Sequence, residues 1–144
     1  MVPFVVDSGV FKGAFNPRDQ YHKQAAPIVG EIGLGRLGTI IITDYIFDEI
    51  LTFIRKKSSP IKSVEAMNAI LDSEYIVVDK ITEEIFNLAM ILFETKEHLS
   101  FTDAITVIYM KSKNITDIIS FDTGFDTVEG LTRHIMVPTS RHPP

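Results

Sequence analysis

Short, unbroken runs of apolar residues constrain the fold of this 144-residue chain more than any other feature. Val2-Pro3-Phe4-Val5-Val6 has the length of a strand and offers no polar side, as expected of a strand covered on both faces. Thr39-Ile40-Ile41-Ile42, Tyr75-Ile76-Val77-Val78 and residues 117–121 read the same way, and a last strand is expected near residues 134–137. Between these runs the spacing turns helical. A short helical turn over residues 8–15 and a helix over about 20–30 flank the break Asn16-Pro17-Arg18-Asp19. Ile46, Ile50, Phe53 and Ile54 recur at helical pitch from Asp44 to Lys57. Ser59 and Pro60 supply an N-cap and a first helical residue, followed by Val64, Met67 and Leu71 on one face. Thr82 caps a helix with Ile85, Leu88, Ala89 and Leu92 in register, and Ser100 starts another that reaches about Lys113. Strands separated by helices of this length imply right-handed crossovers and a mostly parallel central sheet. The expected fold is therefore α/β, a doubly wound three-layer α/β/α sandwich.

A chain this long, 45% hydrophobic, buries one sizeable core, so a single domain over residues 1–137 is expected, with 138–144 as a loose Pro-containing tail. The absence of cysteine excludes a disulfide framework and thiolate chemistry and is compatible with a reducing cytoplasm. The start lacks a basic n-region and no apolar stretch has membrane-spanning length, so the chain reads as soluble, cytoplasmic and without a membrane partner. A net charge of −5 argues against a protein that coats nucleic acid, yet leaves room for a nucleic-acid enzyme whose metal ions meet the phosphate.

Function is sought at the strand ends, because open α/β sheets bind ligands in the crevice outside the carboxyl ends of their strands. Asp7 ends the first apolar run and is followed by Ser8 and Gly9; Asp122 ends the run Ile118-Ile119-Ser120-Phe121. Glu49 falls between Ile46 and Phe53 on the helical pitch and borders the inward stripe, while Asp48 points further out. Asp103 lies in the first turn of its helix, beside the buried side marked by Ala104, Ile105, Val107 and Ile108. Converging carboxylates raise each other's pKa unless a divalent cation compensates them, and oxygen ligands without histidine or cysteine favour magnesium or manganese.

The segments FVVDSGVF, ITDYIFDEILTFI, LSFTDAITV and ISFDTGFD resemble, in this order and setting, those of the PIN domain family of small metal-dependent ribonucleases, which includes the VapC toxins. The resemblance spans residues 1 to about 137. It implies Asp7, Glu49, Asp103 and Asp122 as catalytic acids and metal ligands; Asp7 and Asp103 are expected to be direct ligands, with Asp122 and Glu49 as ligands or as groups that orient water. Ser8 and Ser120 stand at supporting hydroxyl positions, and Phe125 matches the phenylalanine that follows the fourth acid. Gly9 stands where a polar residue is common, and Asp126 is close enough to Asp122 to be the fourth acid in its place. The resemblance further implies an RNA substrate, Mg²⁺ or Mn²⁺ as cofactor, a homodimer and, in the toxin branch, an antitoxin protein. Lys12, Arg18 and Arg55-Lys56-Lys57 are candidates for steering the RNA backbone.

Three of the four acids also have a purely structural explanation. Ser100 and Asp103 form a capping-box pattern, Asp122 before Thr123-Gly124 suits an Asx turn, and Glu49 suits a helix surface if the inward face is turned by one residue. The basic cluster Arg55-Lys56-Lys57 complements the dipole of its helix. Gly33-Leu34-Gly35-Arg36-Leu37-Gly38 matches the dinucleotide fingerprint in letters but precedes a strand, so it is a loop. His22, His98, His134 and His142 are scattered without ligand spacing, as surface residues would be. Two alternatives accompany the nuclease: a PIN-like domain that binds RNA or protein without cutting, and a receiver-like magnesium-binding signalling module. The latter needs a second acid beside Asp7 and a strand-end lysine in a setting the sequence does not supply.

Overall fold

Five parallel strands form one sheet in the order β3-β2-β1-β4-β5 in this computed structural model, which describes residues 2–137. The expected tail, 138–144, lies outside the described residues. The elements follow in the order β1 (Phe4–Val6), α1 (Ser8–Phe15), α2 (His22–Gly33), β2 (Ile40–Thr43), α3 (Asp44–Lys57) and α4 (Pro60–Asp72). The second half adds β3 (Ile76–Asp79), α5 (Glu83–Thr95), α6 (Phe101–Ser112), β4 (Asp117–Ile119), a 3₁₀ turn (Thr123–Thr127) and β5 (Thr132–His134). The chain winds outward from β1 through β2 to β3, then returns to the other side of β1 for β4 and β5. Right-handed crossovers put the helices of the two directions on opposite faces, completing the α/β/α sandwich. α1 packs on α2 and α3, α3 on α4, and α5 on α6.

The central strands are buried where they are apolar, β1 along its whole length: Phe4, Val5, Val6, Ile40, Ile118 and Ile119 are all sealed from solvent. α3 to α6 each start where a side-chain oxygen accepts an orphan backbone N–H: Thr43 for α3, Ser59 for α4, Thr82 for α5 and Ser100 for α6. α2 runs to Gly33, further than its sequence pattern suggests, and carries Pro27 inside it. The glycine-rich stretch, apart from Gly33 at the end of α2, is the loop between α2 and β2, with Gly35 and Gly38 at φ of 73° and 67°.

β5 corrects one expectation. The apolar run at 134–137 is not the strand; Thr132-Arg133-His134 pairs with Asp117-Ile118-Ile119, whereas Ile135 and Met136 are exposed. Apolarity misleads at this edge because the polar strand satisfies its side chains individually. Arg133 bonds Asp126, and His134 bonds Asp117 at 2.9 Å and meets the Phe4 ring edge-on.

Gly35 carries a testable constraint. A Cβ there would come within 2.5 Å of the Tyr75 ring, on a backbone already at positive φ. Gly35→Ala should lose about 1–2 kcal/mol from the left-handed conformation alone, read as a lower denaturant midpoint at unchanged slope, with Tyr75→Ala relieving only the ring clash.

Candidate active site

The switch in winding direction lies between β1 and β4, where the two chains leave the sheet on opposite sides and open a crevice. Asp7 stands at this point. Its backbone N–H donates to the Ile119 carbonyl at 3.0 Å, extending the β1–β4 pairing by one residue. As N-cap of α1, Asp7 accepts on Oδ1 from Ser8 N at 2.9 Å, and on Oδ2 it accepts from Ser120 Oγ at 2.7 Å. Ser120 Oγ also accepts from Asp122 N at 3.0 Å, so one buried hydroxyl orders both strand-end acids.

Glu49 is half-buried on α3 while its neighbour Asp48 is exposed, and Ser8 Oγ donates to Glu49 Oε1 at 2.8 Å. Asp103 sits in the first turn of α6 and completes a reciprocal capping box: Asp103 N donates to Ser100 Oγ at 3.0 Å and Ser100 N donates to Asp103 Oδ2 at 3.2 Å. Asp122 caps the 3₁₀ turn, accepting from Gly124 N at 2.8 Å. The capping box and the Asx-type turn foreseen as structural explanations are thus both present. They do not remove the acids from the crevice: Asp7, Glu49, Asp103 and Asp122 line one cleft of about 420 Å³. Asp126 does not line it. Arg133 grips Asp126 through Nε and Nη2 at 2.9 and 3.0 Å, and these bonds hold the Asp126 carboxyl below its ordinary range.

Burial and mutual repulsion set the electrostatics. Asp7 is only 8% exposed, and burial pushes its pKa up to about 7. Hydrogen bonds from Ser120 and Ser8 oppose that shift, while the charges of Asp103 and Glu49 add to it. Asp103 is raised too, first by burial and then, against its bonds to Ser100, by Asp122 and Glu49. The four acids therefore interact, although among the described residues no three His, Asp or Glu side chains are already gathered around a metal-sized point. Their donor chemistry fits a hard divalent cation. The cleft presents carboxylates and hydroxyls without histidine or cysteine, and Glu49 Oε2, Asp103 Oδ1 and Asp122 Oδ2 have no hydrogen-bond partner among the described residues.

The candidate cations divide. Lys12 lines the cleft with its Nζ 5.7 Å from the centre of the Phe53 ring, and it shares an adjoining hollow with Lys56 and Glu49. Arg18 does not line the cleft, and Arg55 is tied to α4 by a 3.1 Å bond to Ser63 Oγ. His22, His98 and His134 each bond a protein partner outside the cleft, and His142 lies outside the described residues. Two features escaped sequence reasoning. Arg133 braces the site from behind, donating to the Ser120 carbonyl at 3.1 Å. Tyr21, from the loop before α2, stacks on Phe121 at the cleft wall. The only sequence signal for either was an aromatic residue near a strand-end acid.

The family model for the PIN domain matches residues 4–131. The chain is 25% identical over 124 residues to a VapC ribonuclease of Archaeoglobus fulgidus, a match covering 84% of this chain and 78% of that protein. Among solved structures, it is similar to Mycobacterium tuberculosis VapC20, a Sarcin-Ricin loop cleaving toxin. That match has a TM-score of 0.74 at 18% identity and covers 89% of this chain and 96% of that one. A toxin–antitoxin complex from Klebsiella pneumoniae matches with a TM-score of 0.62 at 15% identity, over 90% and 95% of the two chains. VapBC2 from Rickettsia felis, bound to a DNA fragment from its promoter, matches at 0.64 and 11%, over 91% and 96%.

The raised pKa of Asp7 fixes the sign of a stability effect. Below about pH 4 Asp7 is protonated in both folded and unfolded chains; from there to about pH 7 the unfolded chain has lost the proton that the native one keeps, so stability falls as pH rises. The penalty above pH 7 is at most about 4 kcal/mol. In the absence of divalent cations, Asp7→Asn should be more stable than the parent at pH 8 and nearly equal to it at pH 4, by denaturant titration. Mn²⁺ should then raise the parent's Tm at pH 8 and raise that of Asp7→Asn, which keeps Glu49, Asp103 and Asp122, by less.

Proposed function

The chain belongs to the PIN domain family, and on that premise we propose that it is a metal-dependent endoribonuclease that hydrolyses RNA phosphodiester bonds with Asp7, Glu49, Asp103 and Asp122. The observation that carries this reading is the shared cleft: four acids from the exit of β1, from α3, from the start of α6 and from the exit of β4 line it together. Two of them have carboxyl groups raised by burial and by their neighbours' charges. Such an arrangement is unfavourable for its own sake and is accounted for by a bound cation.

Asp7 and Asp103 are the proposed direct ligands of Mg²⁺ or Mn²⁺, with Glu49 and Asp122 as further ligands or as groups that orient water. A divalent ion bound there supplies a nucleophilic water at neutral pH and neutralises charge on the phosphate and the leaving oxygen. The protein's own contribution is orientation. Ser120 and the Ser8 N–H fix the Asp7 carboxylate, the Ser8 hydroxyl fixes Glu49, and the Ser100 cap fixes Asp103. Lys12 and Lys56 offer positive charge beside Glu49 for the approaching RNA backbone.

The toxin role in a toxin–antitoxin pair, and with it an antitoxin partner, is supported by the similarity to VapC chains and to a VapBC assembly. Homodimer formation is supported by the apolar side chains that α5 leaves exposed, Leu88, Ile91 and Phe93.

Incubation of the purified protein with RNA tests the proposal. Cleavage should require Mn²⁺ or Mg²⁺ and stop with a chelator, and Asp7→Asn or Asp103→Asn should lower the rate more than about 100-fold. Ser120→Ala, which frees but does not remove the Asp7 carboxylate, should cost about 10–100-fold. Asp122→Asn should impair cleavage and Asp126→Asn should leave it unchanged, which decides which of the two acts; RNA left intact by the parent protein with either metal would reject the enzyme.

A further inference from the structure

The acids occupy only part of the cleft; its wall is aromatic. Tyr21 and Phe121 stack with ring centroids 4.5 Å apart and planes 8° from parallel, and both line the cleft with Asp7 and Asp103. Phe121 directly precedes Asp122, so the stack adjoins the acid at the exit of β4. Tyr21 is 36% exposed, and its hydroxyl interacts electrostatically with Arg133 without a hydrogen bond among the described residues, so no hydrogen-bonded tether accounts for the position of the ring. The loop beneath holds it instead. Tyr21 N donates to Asp19 Oδ1 at 2.8 Å, Arg18 N donates to Asn16 Oδ1 at 3.1 Å, and His22 Nδ1 bonds the Gly13 carbonyl at 2.8 Å. Close packing completes the clamp, for a Cβ on Gly13 would sit 3.1 Å from Ala25 Cβ and 3.4 Å from Asp19 Oδ1. A rigid aromatic face loses little entropy when a ligand settles on it.

We propose that the Tyr21–Phe121 stack is a platform for one unpaired base flanking the phosphate addressed by the acids, so that Tyr21 favours binding of an unpaired strand over a duplex. The proposal rests on the ribonuclease reading. A base within a duplex has both faces covered by its neighbours, whereas an unpaired base of any identity offers a π-face to a ring. The cleft volume of about 420 Å³ suits a single nucleotide-sized group. Lys12 lines the same cleft, its Nζ 5.7 Å from the centre of the Phe53 ring, and so supplies a cation for the backbone of a strand whose base lies on Tyr21.

The test uses binding, so that it does not depend on cleavage. Short unpaired RNAs carrying 2-aminopurine at single positions are titrated, in Mn²⁺, into the full chain bearing Asp7→Asn, alone and combined with Tyr21→Phe, Tyr21→Leu or Tyr21→Ala. One position should be quenched on binding, and the quenching should survive Tyr21→Phe and disappear in the other two. Affinity for the unpaired strand should fall by about 5- to 150-fold in those two variants, while affinity for a duplex of the same length stays within twofold.

Tyr21→Leu keeps apolar packing against Phe121 without a π-face. Retained affinity in that variant, an equal loss for duplex, no quenched position, or no binding of unpaired RNA by the Asp7→Asn chain would overturn the proposal. Cleavage by the Asp7-containing parent is measured separately. Quenching without parental cleavage rejects the nuclease and keeps the platform; cleavage with an unchanged KM in Tyr21→Ala rejects the platform and keeps the nuclease.

Discussion

The hydrogen bond from Ser120 Oγ to Asp7 Oδ2, 2.7 Å long and buried, joins the exits of the two strands between which the winding of the sheet reverses. Its position follows from topology. β1 and β4 are neighbours although 113 residues separate the two bonded side chains, and only a sheet that winds outward and then back brings their ends together. Through Ser120 the bond reaches the backbone of Asp122, and through Asp7 and Ser8 it reaches Glu49 on α3. Three of the four candidate acids thus belong to one hydrogen-bonded chain, whose rigidity comes from the buried strands beneath it.

The structural and functional explanations of these acids do not compete. Asp7 caps α1, Asp103 closes a capping box on α6 and Asp122 caps the 3₁₀ turn. A carboxylate has about four lone-pair sites and a cap uses one or two, so a capping acid keeps capacity for a cation. Helix N-termini also carry partial positive charge, which favours an ionised carboxylate at the very place where burial disfavours it. The caps of Asp7 and Asp103 therefore do local work that reduces the cost of assembling charge at the site; for both groups burial still outweighs these bonds, and the net pKa is raised.

What the sequence discloses and what it hides divide along physical lines. Continuous apolar runs at Phe4–Val6 and Ile40–Thr43 are legible because burial on both faces admits no polar residue. Ser59-Pro60 and Thr82 mark helix starts through chemistry that is local to the chain. β5 was misplaced because its residues Thr132-Arg133-His134 are held by partners far away in sequence or off the strand, which no local pattern encodes. For the same reason Arg133 and Tyr21 went unnoticed at the site. The choice between Asp122 and Asp126 stayed open in the sequence, since both follow β4 within a few residues; the Arg133 grip that separates them exists only in three dimensions.

A protein of net charge −5 that gathers acids in one cleft repels the polyanion it is proposed to cut. A divalent cation bound there, as proposed, would reverse the local sign: it would screen the acids from one another and turn the cleft floor from a barrier into an attractor for phosphate. Lys12 and Lys56 extend that positive character along one side, and the aromatic wall of Tyr21 and Phe121 adds surface that is indifferent to charge. The same repulsion that weakens the metal-free fold would thus couple metal binding to substrate approach in the proposed enzyme, because both depend on compensating the charge that burial at Asp7 and Asp103 makes costly.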